Sequence, residues 1–292
     1  NSNSEIRNFT RSSLLADEGG HLVPVGQRIL IADNDLVVME AISDTLSAKD
    51  YQIIQARDGL EALERFRDNP CDLAILDIVL PKIDGHDLCR LIRQEERGRL
   101  LPIIAFTALG PQDVAKLPGL SADAYVAKGP LSVVIPNILE AIKSLLTTRR
   151  GRQEPQRIFG YEGFRPRQIV SELFASKQYY QRLVHAVADV VIHLDAHAKI
   201  LSANVTALRL LGQSEAEVTG RPLADLLTER DRSVFESFLA QLSQDPLGTK
   251  AASEVKLPGI RQRLRCRPVI DNGKIAAFLV TADSDSPMQK KK

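Results

Sequence analysis

Four apolar runs, each stopping abruptly at a charged or hydroxyl residue, constrain the fold of this chain more than any other feature. They are RILIAD (28 to 33), LAILD (73 to 77), IIAFT (103 to 107) and AYVAK (124 to 128). A fifth run, YQIIQA, lies between the first two. Strands this apolar are stable only when both faces are covered, as in a parallel sheet wrapped by helices. The intervening segments carry helical patterning: LVVMEAISDTLSA, DGLEALERFRDN with Leu60, Ala62, Leu63 and Phe66 on one side, GHDLCRLIRQEE, a short stretch after Pro111, and SVVIPNILEAIKSLL. Five strands, each followed by a helix, predict an α/β, doubly wound five-stranded parallel sheet over residues 28 to 147.

In such a sheet the reactive crevice lies at the carboxyl ends of the strands. Asp33, Asp77, Thr107 and Lys128 all end strands there. Asp33, Asn34 and Asp35 raise a specific question, because clustered carboxylates repel and resist burial unless something positive sits among them. A hard divalent cation such as Mg²⁺, which takes carboxylate, water and phosphate oxygens, meets that need. The chemistry that fits is carboxylate attack on phosphorus. Asp77 serves as nucleophile, Mg²⁺ near Asp33 neutralises the transferring oxygens, Lys128 adds a second positive charge, and Thr107 donates a hydroxyl hydrogen bond.

The stretch from 28 to about 147 resembles a receiver domain of two-component response regulators. The resemblance rests on ILIADND, ARDGLEAL, LAILDIVLPKIDG, PIIAFTA and DAYVAK in that order. It implies Asp77 as phospho-acceptor, Asp33 as a metal-binding acid beside Asp77 and Asn34, Thr107 as switch hydroxyl, Tyr125 as switch aromatic and Lys128 as the site lysine. Three departures stand out. Asn34 replaces a second acid, leaving Asp35 as an alternative contributor. Gly129 separates Lys128 from Pro130, which leaves open where a cis peptide bond would fall. Val79, two residues past Asp77, offers no side-chain hydrogen bond to an attacking water.

Residues 1 to 27 read as a mobile tail and 148 to 177 as an arginine-rich linker with a connecting helix. Residues 178 to 283 resemble a PAS domain, an α+β fold with an antiparallel sheet, on AVADVVIHLDAHAKILSANVTALRLLG, GRPLADLL, FESFLAQL and three closing strands. Asn204 opens a helix there, and Asp271-Asn272-Gly273 marks a hairpin. His185, His193, His197 and Cys266 lie outside the positions that haem ligation or a flavin adduct would need, so neither cofactor is expected. Residues 284 to 292 read as a frayed end.

Ile169, Leu173, Tyr180, Leu183 and Val187 fall at heptad-like spacing, which points to a homodimer through 167 to 187 or to packing on the helix's own domain. With 44% hydrophobic and 26% charged residues and a net charge of +1, a nucleic-acid partner is not expected. No run is long and apolar enough for a membrane span, and Cys71, Cys89 and Cys266 show neither disulfide nor metal spacing. The compartment is therefore read as cytoplasmic, and the Asn8-Phe9-Thr10 sequon as coincidental.

The function expected is two-component signalling without independent enzymatic turnover, with a cognate histidine kinase or phosphotransfer protein as partner. Alternatives are the sensory front of a larger hybrid histidine kinase, which the opening Asn in place of Met leaves open, and a degenerate receiver that binds without phosphorylation. A DNA-binding regulator ranks behind these, because no helix-turn-helix follows the linker.

Overall fold

The computed structural model describes residues 14–16, 22–24, 26–109, 121–147, 157–160, 168–244, 253–256 and 263–282. The chain divides into two compact units, 1–172 and 173–292.

In the first unit, strands β3 (Arg28–Ala32), β4 (Gln52–Ala56), β5 (Leu73–Asp77), β6 (Ile103–Thr107) and β7 (Ala124–Ala127) are parallel. A further strand, β8 (Arg157–Phe159), extends the sheet to the order β4-β3-β5-β6-β7-β8. Every residue of β5, β6 and β7 is buried, whereas β4, at one edge, is only partly so. That gradient follows from helices covering both faces of the sheet's interior. Helix α1 (Leu36–Ser47) packs against α4 (Leu131–Thr147), and α2 (Gly59–Asp68) against α3 (Gly85–Gln94). Ile29, Ile31, Ile75, Ile104, Phe106 and Val126 meet Met39, Ile42, Leu46, Val134, Ile138 and Ile142 in one continuous core.

The order reverses between β3 and β5, which places the ends of these two strands on either side of a crevice. Both α1 and α3 begin beside it. Asp35 caps α1 by accepting from the Val37 and Val38 amides, and Asp84 caps α3 by accepting from the Asp87 amide.

Two expectations are corrected. Residues 1 to 27 are not wholly a tail: β1 (Leu14–Ala16) and β2 (Leu22–Pro24) pair as an antiparallel hairpin. Their apolar LLA and LVP runs alternate too briefly to register as strands by period alone. The sheet has six strands rather than five, because RIF within the supposed linker returns to pair with β7. The helical stretch expected after Pro111 and the end from 284 to 292 lie outside the described residues.

The second unit contains helix α5 (Gln168–Ala186) from Leu173 onward. Strands β9 (Val190–Asp195), β10 (Ile200–Ala203), β11 (Ser253–Lys256), β12 (Arg263–Asp271) and β13 (Lys274–Ala282) form an antiparallel sheet in the order β10-β9-β13-β12-β11. Asn272 and Gly273, both at positive φ, turn β12 into β13, with Asp271 opposite Lys274. This is the hairpin expected from Asp-Asn-Gly. Helices α6 (Val205–Leu211), α7 (Glu215–Val218) and α8 (Glu229–Gln244) complete the unit. Its interior is filled by Ile192, Leu194, Leu223, Phe235, Phe278 and Val280 among others.

Asn204 is the polar hub of this unit. It is 1% exposed, and its Oδ1 accepts from the Val191 and Ala207 amides at 3.1 and 2.9 Å. Its Nδ2 donates to the Val187 and Asp189 carbonyls at 3.1 and 2.7 Å. One amide therefore caps α6 and ties the end of α5 to β9. Asn204→Ala leaves these buried groups unpaired and is expected to lower the unit's stability by about 2–4 kcal/mol in urea unfolding. Asn204→Asp keeps the acceptor contacts and is expected to recover only part; full recovery would show that the two Nδ2 bonds contribute nothing.

Candidate functional site

The crevice brings Asp33, Asp77 and Lys128 into direct contact. Lys128 Nζ donates to Asp33 Oδ2 at 2.7 Å and to Asp77 Oδ2 at 2.8 Å. Asp33 is 0% exposed and Asp77 4%. The positive group that the acidic strand end requires is thus, in the protein alone, the lysine ninety-five residues further along the chain. The ammonium also lies 4.9 Å from the centre of the Phe106 ring, whose face attracts a cation.

The remaining carboxylate oxygens are held by backbone. Asp33 Oδ1 accepts from the Asp35 amide at 2.9 Å, and Asp77 Oδ1 from the Val79 amide at 3.0 Å. The loop after Asp77 is kept close by Gly85, where a Cβ would lie 1.9 Å from the Asp77 carbonyl oxygen. Only glycine allows α3 to start against that strand end.

Burial pushes the Asp77 carboxyl up to about 6, with Asp33 adding to the rise while Lys128 and the Val79 amide oppose it. Burial works against the charge on Lys128 too, yet the two carboxylates outweigh it and hold its pKa above the usual lysine value.

Thr107 is 0% exposed, and its Oγ1 accepts from the Leu109 amide at 3.0 Å. It follows Phe106, the residue opposite Asp77 in the β5–β6 register. Tyr125 is 1% exposed in the neighbouring strand, opposite Ala105. Asn34 and Asp35 are exposed, and Asp35 Oδ1 is engaged as the α1 cap. Val79 is 44% exposed. No cis peptide bond occurs among the described residues.

The donor set suits a hard divalent cation. Two buried carboxylates offer oxygen ligands, and Lys128 offsets only one of their two charges. A second group, Asp84, His86 and Asp87, has ligand-type atoms within 4.8 Å of one another and was not singled out from sequence. Its geometry is that of a helix start. Asp84 Oδ1 caps α3, while Asp87 Oδ1 pairs with Arg90 at 3.0 Å. Despite burial, His86 and Arg90 hold the Asp87 carboxyl at about 2.

Residues 29–142 match the model of the response regulator receiver domain. The polar-differentiation response regulator DivK of Brucella ovis is 35% identical over 119 residues, covering 40% of this chain and 94% of that protein. The chain belongs to the response regulator receiver family. Response regulator RR06 of Streptococcus pneumoniae is 34% identical over 119 residues, 40% of this chain and 52% of that protein. Residues 178–283 match the PAS fold. Among solved structures, the response regulator TrrA of Thermotoga maritima in complex with Mg²⁺-BeF is 32% identical, with TM-score 0.36, covering 41% of this chain and 99% of that one. The receiver domain of a signal transduction histidine kinase from Syntrophus aciditrophicus is 28% identical, with TM-score 0.38, covering 44% and 98%.

In the PAS region of this receiver-family chain, His193 lies half-buried on β9, His197 in the turn after it and His185 exposed near the end of α5. Cys266 is fully buried on β12, where burial pushes its thiol up to about 12. The three cysteines are free.

The raised Asp77 pKa fixes the sign of a pH effect. Between about pH 4 and 6 the folded receiver keeps a proton that the unfolded chain has released, so native stability falls as pH rises through that window. Asp77→Asn removes the buried charge. In metal-free protein it is expected to stabilise the receiver by about 2 kcal/mol at pH 7 and by almost nothing at pH 4. Urea unfolding at both pH values measures this; an equal gain at each would assign the effect to something other than the carboxylate's charge.

Proposed function

We propose that this chain accepts a phosphoryl group on Asp77 in an Mg²⁺-dependent reaction and passes that state to partners through its PAS region. One observation carries the reading: two buried carboxylates at adjacent strand ends share a single lysine ammonium at 2.7 and 2.8 Å. A structural ion pair needs one carboxylate per lysine. The second leaves negative charge in a low-dielectric crevice, a cost that a cation-dependent site accounts for.

In the transfer, a carboxylate oxygen of Asp77 forms a bond to phosphorus as the bond to the donor's leaving group breaks, and the leaving group departs with the electron pair. Asp33 and Asp77 would hold the ion, which supplies charge neutralisation on the transferring oxygens. Lys128 is already within reach of Asp77 and pairs with a phosphoryl oxygen in the product. Thr107, one residue past the Phe106 that faces Asp77, turns its hydroxyl toward the same group. Phosphohistidine on a cognate kinase or phosphotransfer protein is the donor class that suits a buried carboxylate nucleophile. The output is an interaction rather than turnover of a metabolite, and the reaction takes place in the cytoplasm. No helix among the described residues is long and apolar enough to cross a membrane.

With Mg²⁺ and a small phosphodonor, the protein is expected to gain one acid-labile phosphate and Asp77→Asn none. Gain by the variant, or by neither, overturns the reading. Asn34 favours a second one, a receiver that works without phosphoryl, because a neutral amide takes the place of an acid beside Asp33. Asn34→Asp is expected to tighten Mg²⁺ binding by roughly tenfold in a titration, since only a carboxylate brings charge to the ion. Unchanged affinity would mean that the side chain at 34 does not reach it.

The α5 helix supports a homodimer as part of the output. Leu173, Tyr180, Leu183 and Val187 are 66%, 63%, 46% and 41% exposed. The side chain of Ile169, the first seam position, lies outside the described residues. Sedimentation is expected to show a dimer that Leu173→Glu weakens; identical association in both proteins would remove the seam from the interface.

A further inference from the structure

After α4 the chain returns to the receiver sheet. β8 runs parallel to β7, with Arg157 opposite Ala124, Ile158 opposite Tyr125 and Phe159 opposite Val126. A strand, a covering helix and a second parallel strand make a βαβ crossover, so β8 is an integral extension of the sheet. Phe159 packs, partly buried, against the core under α4. Gly160 follows at φ +75°, and a Cβ there would lie 2.6 Å from Asn137 Nδ2 on α4. The left-handed φ is what favours glycine at this exit from the strand, since the Asn137 side chain can move aside.

Ile158 faces the opposite side and is 49% exposed. Residues opposite one another in a register share a face, so Ile158 stands beside Tyr125, and Tyr125 beside Ala105. Thr107, two residues after Ala105, lies on that same face. From Asp77 the path to β8 therefore crosses only neighbouring strands: β5 to β6, β6 to β7, β7 to β8.

A three-residue edge strand is finely balanced. Its few hydrogen bonds and one half-buried phenylalanine only just offset the backbone freedom lost on pairing. A small change in the adjoining strand shifts such an equilibrium.

We propose that β8 is a strap whose pairing with β7 reports the phosphoryl state of Asp77: paired in the unmodified receiver and released when the phosphoryl group is present. The proposal rests on the phosphoryl reading above. In the unmodified protein the Thr107 hydroxyl accepts from the Leu109 amide and Ile158 lies alongside Tyr125. A phosphoryl oxygen on Asp77 draws the hydroxyl toward itself as a donor. The Tyr125 ring follows into the space on that face, and Ile158 loses its neighbour. Among the described residues β8 is the only paired segment between α4 and α5, so its release changes the tether that leads toward the PAS region.

Hydrogen exchange on the whole chain, with and without Mg²⁺ and beryllofluoride, tests this, while fluorine NMR reports independently whether beryllofluoride is bound. Exchange of the peptide covering 157–160 is expected to quicken about tenfold in the bound state, and to stay slow in bound Thr107→Ala. Gly160→Val, which strains the left-handed turn that ends the strap, is expected to give fast exchange without ligand while still binding beryllofluoride. A bound fluorine signal with unchanged or slower exchange at 157–160 overturns the strap and leaves the phosphoryl reading standing. No bound signal overturns both.

Discussion

Lys128 is the residue on which the receiver site depends. Without its ammonium, Asp33 and Asp77 would face each other nearly dry, and one of them would have to bind a proton or draw back toward water. With it, each carboxylate keeps one oxygen on the lysine and the other on a backbone amide two residues further on. That arrangement holds the crevice in shape while leaving net negative charge in it. Burial is the main cause of the raised Asp77 pKa, with Asp33 adding to it and Lys128 opposing it.

The sheet order makes this contact possible. Asp33 and Asp77 end neighbouring strands because the winding reverses between β3 and β5, and Lys128 follows β7, two strands away from β5. A long flexible side chain spans that distance and comes to rest near Phe106 on the strand between. Asp33, Asp77, Thr107 and Lys128 thus stand at the ends of four strands of one sheet. β8 and α5 follow this sheet in the chain.

The second unit is organised differently. Its sheet is antiparallel with one face turned to the helices, and a single buried asparagine ties the end of α5 to β9 and to α6. A change at the end of α5 therefore has a direct hydrogen-bonded route into that core.

The strand runs, their order and the residues that end them could be read from the sequence, because a parallel sheet buried on both faces demands continuous apolar runs and tolerates charge only at their ends. Asp33, Asp77, Thr107 and Lys128 were legible for that reason, and the Asp-Asn-Gly hairpin because few turns suit those residues. The sequence could not say that lysine itself fills the acidic crevice, since ninety-five residues separate it from Asp33 and only the closed sheet brings them together. Nor could it show that Asp35 is engaged in capping α1, that Asn204 makes four bonds at once, or that RIF within an arginine-rich stretch becomes a sixth strand. Three residues carry too little period to announce a strand; β8 exists because β7 presents an open edge and α4 returns the chain to it.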